Sequence, residues 1–264
     1  MFNYNSLGRN LLFQEEKIIK ISRHMVHTPF RGRCWRMISV VVDVDDTLIN
    51  TGRMMQGVWR ELLGREVPME AIETLGLVQI FEKLASPDQK ARVNELRKRF
   101  WDISLCLENV GTELAELEEP IPFAAEVLQT WSKHCQLVYL TGRTENTRDL
   151  TLDQLRKFGF PTENIRLMMF SLEDYARARG LNPSGPTLVE AKSRLFSSIS
   201  KQYNVVRVVD DYPGYFPIYR QFDVPERIGF LRPKKYSPQQ YIDRGATRIV
   251  ESWKELQDDL PKPL

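Results

Sequence analysis

Apolar positions in this chain follow two patterns. Short runs without alternation occur at 38–42 (ISVVV), 136–140 (QLVYL), 166–170 (RLMMF) and 205–209 (VVRVV), with a weaker one at 227–231. Such runs fit strands buried on both faces of a sheet. Between them the period changes. Ala124, Val127, Leu128 and Trp131 recur at i, i+3, i+4 and i+7, and 145–158 reads as a helix stopped by Gly159-Phe160-Pro161. A third helix is expected over 187–200. Strands alternating with helices predict an α/β fold: a Rossmann-like, three-layer core with a mainly parallel sheet.

One stretch breaks the alternation. From 51 to 118 only helical stripes appear: Met55, Val58 and Leu62; residues 72–84; Val93, Leu96, Phe100 and Ile103; Leu107, Val110, Leu114 and Leu117. This predicts an all-helical insertion after the first strand. The expected organisation is an N-terminal extension (1–37), the first strand and its loop (38–50), the helical insertion (51–118) and the rest of the core (119–264).

Composition narrows the setting. Of 264 residues, 42% are hydrophobic and 27% charged, as in an ordinary globular chain, and the net charge of +2 does not call for a polyanionic partner. No apolar run approaches the ~18 residues that a membrane span needs. Cys34, Cys106 and Cys135 are odd in number and far apart, so reduced thiols in the cytoplasm are expected. Residues 1–37 hold seven basic side chains against Glu15 and Glu16; they read as a basic extension, and Met37 is a candidate alternative start. The basic stretch 92–99 reads as a solvated helix face. His24, His27 and His134 have no ligand spacing.

The chemistry gathers where strands end. The first run leads into Asp43-Val44-Asp45-Asp46-Thr47, the second into Thr141-Gly142-Arg143, and the fourth into Asp210-Asp211. Ligands of open α/β sheets sit beyond those carboxyl ends. Five carboxylates converging there would repel one another and an anionic substrate unless a cation compensates. A hard divalent ion with oxygen ligands, Mg²⁺, suits that role. Lys192 stands 18 residues before Asp210, room for a helix and a strand, whereas Lys201 stands only 9 before it. Carboxylate, metal, hydroxyl and ammonium are the parts of phosphoryl transfer through an aspartyl-phosphate.

Four segments, DVDDTL, VYLTGR, LVEAKSRL and VVRVVDDYP, resemble in order the motifs of the haloacid-dehalogenase-like hydrolases. The resemblance covers about 38–231 and includes the insertion, which stands where many members carry a helical cap. It implies Asp43 as nucleophile and Asp45 as general acid and base. It also implies Thr141, Gly142 and Lys192 on the phosphoryl group, and Asp43, Asp45 and Asp210 as the metal set. Thr47, Arg143 and Asp211 are supporting residues; Asp211 is either a ligand through water or a partner of Lys192, and Arg143 either a phosphate contact or a strand cap. Asp46 departs from the Gly that many members have. The acid at Asp45 points to a phosphomonoester phosphatase, with a phosphomutase or a non-catalytic phosphate-binding regulator as alternatives. The expected partner is a small phosphorylated substrate. The stretch 141–161 is also similar to polynucleotide 3′-phosphatases and lipin-type phosphatases, which raises a nucleic-acid 3′-phosphate as a second substrate.

Overall fold

The computed structural model describes residues 38–232 and 235–262. The expectations for 1–37 lie outside them. The chain order is β1 (Ile38–Val42), β2 (Ile49–Asn50), α1 (Gly52–Leu63), α2 (Met69–Thr74), α3 (Leu77–Leu84), α4 (Pro87–Ala91), α5 (Val93–Ser104) and α6 (Asn109–Ala115). It continues with β3 (Glu119–Pro120), α7 (Ala124–Trp131), β4 (Gln136–Thr144), α8 (Arg148–Lys157), β5 (Arg166–Phe170), α9 (Leu188–Gln202) and β6 (Asn204–Asp210). It closes with α10 (Phe216–Gln221), β7 (Glu226–Phe230), α11 (Pro238–Arg244) and β8 (Arg248–Val250).

Six strands form one parallel sheet in the order β5-β4-β1-β6-β7-β8. The order reverses at β1, which makes its carboxyl end the topological switch point. The pleat divides the core. Val40 and Val42 pack with α7, α8 and Trp253 on one face, while Val41 and Val208 pack with Phe196, Tyr219 and Tyr241 from α9, α10 and α11 on the other. The sheet is thus the middle of three layers, buried on both sides, which is why its strands read as continuous apolar runs. The three-residue β8 has no such run, and the sequence reading has five strands where the sheet has six.

The helical insertion leaves and rejoins the core through a two-stranded antiparallel ribbon, Ile49 opposite Pro120 and Asn50 opposite Glu119. Six helices, α1–α6, lie between its strands. They share an apolar centre that includes Val58, Trp59, Phe81, Leu96, Phe100 and Ile103, with Trp59 edge-on to Phe81 at 4.9 Å. Two of the expected stripes differ in extent. Leu107 and Leu117 are exposed, at 37% and 42%, because α6 is confined to Asn109–Ala115 and Cys106 turns the chain with φ 53°. The 72–84 stripe is two helices: Leu75 is extended, and Gly76 starts α3 by donating its N–H to Gln79 Oε1 (2.9 Å). The insertion also grips the core directly. Asp102 of α5 pairs with Arg179 (2.7 Å), and Arg97 Nε donates to the Ala178 carbonyl (2.9 Å).

Candidate active site

Asp43 follows β1 directly, and its N–H donates to the Val209 carbonyl (3.0 Å), so the loop that carries Asp43, Asp45 and Asp46 leaves the sheet beside β6. Asp210 ends β6. Its Oδ2 accepts from Tyr219 Oη (2.6 Å) and its Oδ1 from the Tyr212 N–H (2.9 Å). From the first turns of α9 the Lys192 ammonium bonds Asp43 Oδ1 at 2.6 Å and Asp210 Oδ2 at 2.8 Å, over the Tyr215 ring at 4.2 Å. Lys192 is 1% exposed. Lys201, the alternative, is exposed near the end of α9. Residues 149 positions apart are joined here by strand order and one crossover helix.

Asp43, Asp210 and Asp211 each offer a carboxylate oxygen within 4.8 Å of the others, and all three are buried. The Asp45 side chain stands outside this group. The metal set expected from the sequence, Asp43, Asp45 and Asp210, shares Asp43 and Asp210 with this group, whose third member is Asp211. Asp45 instead accepts from Arg143 Nε through Oδ1 (2.8 Å) and from Thr141 Oγ1 through Oδ2 (3.2 Å). Thr141 is fully buried, and its oxygen also accepts from the Arg143 N–H (3.0 Å). Thr47 Oγ1 lies 3.4 Å from Asp43 Oδ2.

Arg143 is no isolated strand cap. Its guanidinium spans Asp45, the buried Glu118 (2.8 Å) and Gln154 Oε1. Gln154 Nε2 donates in turn to Glu118 Oε2 (2.8 Å) and the Ala115 carbonyl (2.9 Å). The pair Asp45–Arg143 is thereby tied to the point where the insertion re-enters the core. Asp46 sits at φ 59°, a left-handed conformation that glycine takes freely and Asp tolerates. Its carboxylate accepts from the Thr51 N–H and hydroxyl (3.0 and 2.8 Å) and pairs with Arg232 (2.6 Å), which also reaches Asp211 (3.2 Å). Glu118, Gln154 and Arg232 carry no sequence motif, and only the fold brings them here.

Charge in this pocket is out of balance. Asp43, Asp46, Asp210 and Asp211 meet three cations: Lys192, Arg232 and, without a direct ion pair, Lys235. Burial raises the Asp43 carboxyl well above its ordinary value; Lys192 pulls it back, and Asp210, Asp211 and Asp45 push it up again. Burial likewise lifts Asp211 to about 7, against the pull of Arg232. For Lys192 burial disfavours the charge, but Asp210 and Asp43 outweigh it and hold the ammonium well above its usual range. An all-oxygen donor set with surplus negative charge fits a hard divalent cation.

A cavity of about 510 Å³ opens over this cluster, lined by Asp43, Asp45, Gly142, Arg143 and Lys192 from the core and by residues of α1 and α5. The basic residues of 92–99 turn elsewhere: Arg92 pairs with Glu95, Lys98 with Asp102 and Arg99 with Glu108. Arg148, in the stretch similar to polynucleotide 3′-phosphatases, pairs with Glu145 at 2.7 Å.

Solved structures share this backbone arrangement over most of the chain. A haloacid-dehalogenase-like hydrolase from Streptococcus pneumoniae is similar over 83% of this chain and 96% of its own, at 13% identity and a TM-score of 0.54. The fold is that of the haloacid-dehalogenase-like hydrolases. A family hydrolase from Deinococcus radiodurans, solved with bound phosphate and sodium, is similar over 83% of this chain and 92% of its own, at 18% identity and a TM-score of 0.53. A subfamily IA member from Geobacter sulfurreducens is similar over 84% of this chain and 95% of its own (15% identity, TM-score 0.52). No protein-family model and no curated protein matches the sequence. The likeness therefore resides in the backbone, beyond the reach of overall identity. No helix among the described residues is long and apolar enough to cross a membrane.

Proposed function

We propose that this protein is a metal-dependent phosphomonoester phosphatase with Asp43 as nucleophile. The observation that carries the reading is the Lys192 ammonium held between Asp43 and Asp210 beneath an open cavity. Asp43, Asp210 and Asp211 would hold a Mg²⁺ ion, which when bound offsets charge on the cluster and on the phosphoryl oxygens.

The chain's own residues then divide the work. An Asp43 carboxylate oxygen bonds to phosphorus as the ester P–O bond breaks, and Asp45 gives its proton to the departing oxygen. Water next attacks the aspartyl-phosphate, Asp45 takes a proton from that water, and the bond between Asp43 and phosphorus breaks to release phosphate. Lys192 holds the nucleophile and faces the transferring group. Thr141 and Arg143 set the position of Asp45, and Gly142 leaves its backbone at the cavity wall. The helical insertion covers the site as a cap and supplies the wall against which the leaving group rests. A mutase would need a second phosphate site. The cavity's cations, Arg143, Lys192, Arg232 and Lys235, all come from the core, so phosphate release against isomerisation is what distinguishes the two.

Phosphate release from a panel of small phosphomonoesters and 3′-phosphorylated oligonucleotides, with Mg²⁺ or EDTA, tests the reading. Metal-dependent release that Asp43→Asn abolishes is expected. Release that survives Asp43→Asn would rule out the aspartyl-phosphate route, and preference for the oligonucleotides would reinstate the nucleic-acid 3′-phosphate.

A further inference from the structure

The cavity wall contributed by the insertion is apolar. Met54, Met55, Phe100, Trp101, Leu105 and Cys106 line it. The polar side chains on that side are already engaged or turned away from water. Thr51 Oγ1 donates to Asp46 (2.8 Å), Glu118 accepts from Arg143 and Gln154, and Ser104 Oγ is buried with no hydrogen-bond partner. A polyhydroxylated leaving group such as a sugar would lose water there and find methyl groups, sulfur and rings in its place, which weakens its binding.

An aromatic leaving group meets the opposite situation. Trp101 is half-buried and packs on Phe100 at 5.2 Å and on Tyr175 at 5.2 Å. Tyr175 is fixed from the core, its hydroxyl donating to the Gly142 carbonyl (2.7 Å). The rings thus run from the insertion down to the loop beside Asp45. Another ring entering the cavity would extend that array, with the Met54, Met55 and Cys106 sulfurs adapting to its edge. The volume of about 510 Å³ lies within the roughly 300–1,000 Å³ of small-molecule sites and far exceeds a phosphoryl group.

From these contacts we infer that the site takes phosphomonoesters of aromatic alcohols, with the phosphoryl group at Asp43 and Lys192 and the ring against Trp101 and Met55. The inference rests on the phosphatase reading for the placement of the phosphoryl group. Calorimetry on the Mg²⁺-loaded full chain carrying Asp45→Asn, which slows turnover and leaves Asp43, Asp210 and Asp211 in place, with 2-naphthyl phosphate and glucose 6-phosphate, separates the two. The naphthyl ester is expected to bind tighter by roughly tenfold or more, the yield of burying a ring on this wall. Adding Trp101→Ala or the near-isosteric Met55→Gln is expected to remove most of that difference and to leave the sugar ester within about twofold. Equal or tighter binding of glucose 6-phosphate, no binding of the naphthyl ester, or a difference untouched by both wall variants overturns the inference. A preserved naphthyl preference with no phosphate released by the wild-type chain from either ester overturns the phosphatase reading and supports the ligand class.

Discussion

Arg143 holds Asp45 by a 2.8 Å bond from Nε to Oδ1, and the same guanidinium reaches Glu118 at 2.8 Å. Glu118 stands where the chain returns from the insertion to β3, so one side chain connects the proposed general acid to the base of the proposed cap. The guanidinium is largely covered, its side chain 11% exposed at the cavity wall, and its planar fork suits three acceptors at once. Burial raises the Glu118 carboxyl, with Arg143 opposing and Asp45 adding to the rise.

Removing the acid tests its role first. Asp45→Asn is expected to lower kcat by roughly 10² to 10⁴ on esters with poor leaving groups, as loss of general acid–base catalysis does. Steady-state assays with alkyl esters measure this. A loss below about tenfold would assign the proton to another group.

Arg143→Met keeps Asp45 and removes its positioning. The expected fall in kcat is about 10²-fold, the scale of a misplacement of about 1 Å. The deficit should grow with the basicity of the leaving group, because only then does proton delivery limit the rate. A loss equal for aryl and alkyl leaving groups would point to a fault in packing alone.

The contact of α5 with the core gives a stability prediction. Arg179 pairs with the buried Asp102 at 2.7 Å, and Lys98 reaches the same carboxylate at 2.5 Å. Arg179→Met leaves Lys98 as partner, so a modest cost of about 1–2 kcal/mol is expected in urea unfolding. KM should rise with it if the insertion is held over the site by this pair. A KM unchanged at lower stability would confine the pair to structure.

Asp211 at about 7 and the raised Asp43 set a pH dependence in the metal-free chain. Both carboxyls have folded-state values above their unfolded ones, so the native state binds more protons between about pH 4 and 7. The stability they contribute is full at the acidic end of that window and is lost as pH rises through 7. Mg²⁺ should reverse the slope, since it requires the ionised carboxylates and competes with their protons. Denaturant titrations across pH 5–8 with EDTA or Mg²⁺ check the sign. A metal-free slope of zero would mean that the cluster is already neutralised by its own cations.

Much of this protein is determined locally and can be read along the chain. β-Branched and apolar runs without alternation mean burial on both faces, and their spacing by amphipathic helices leaves a parallel three-layer core as the economical solution. The ends of β1, β4 and β6 therefore mark Asp43, Asp45, Thr141 and Asp210 along the chain itself, and the 18-residue separation selects Lys192 over Lys201. Tertiary structure alone decided which of those carboxylates share a point. β6 lies directly beside β1, which places Asp210 and Asp211 with Asp43, while Asp45 turns toward β4 and Arg143. Glu118, Gln154, Arg232 and the ring-lined wall belong to the same category. Each is an ordinary residue at an ordinary spacing, and its meaning arises only when segments remote in sequence pack together and exclude water from the charges between them.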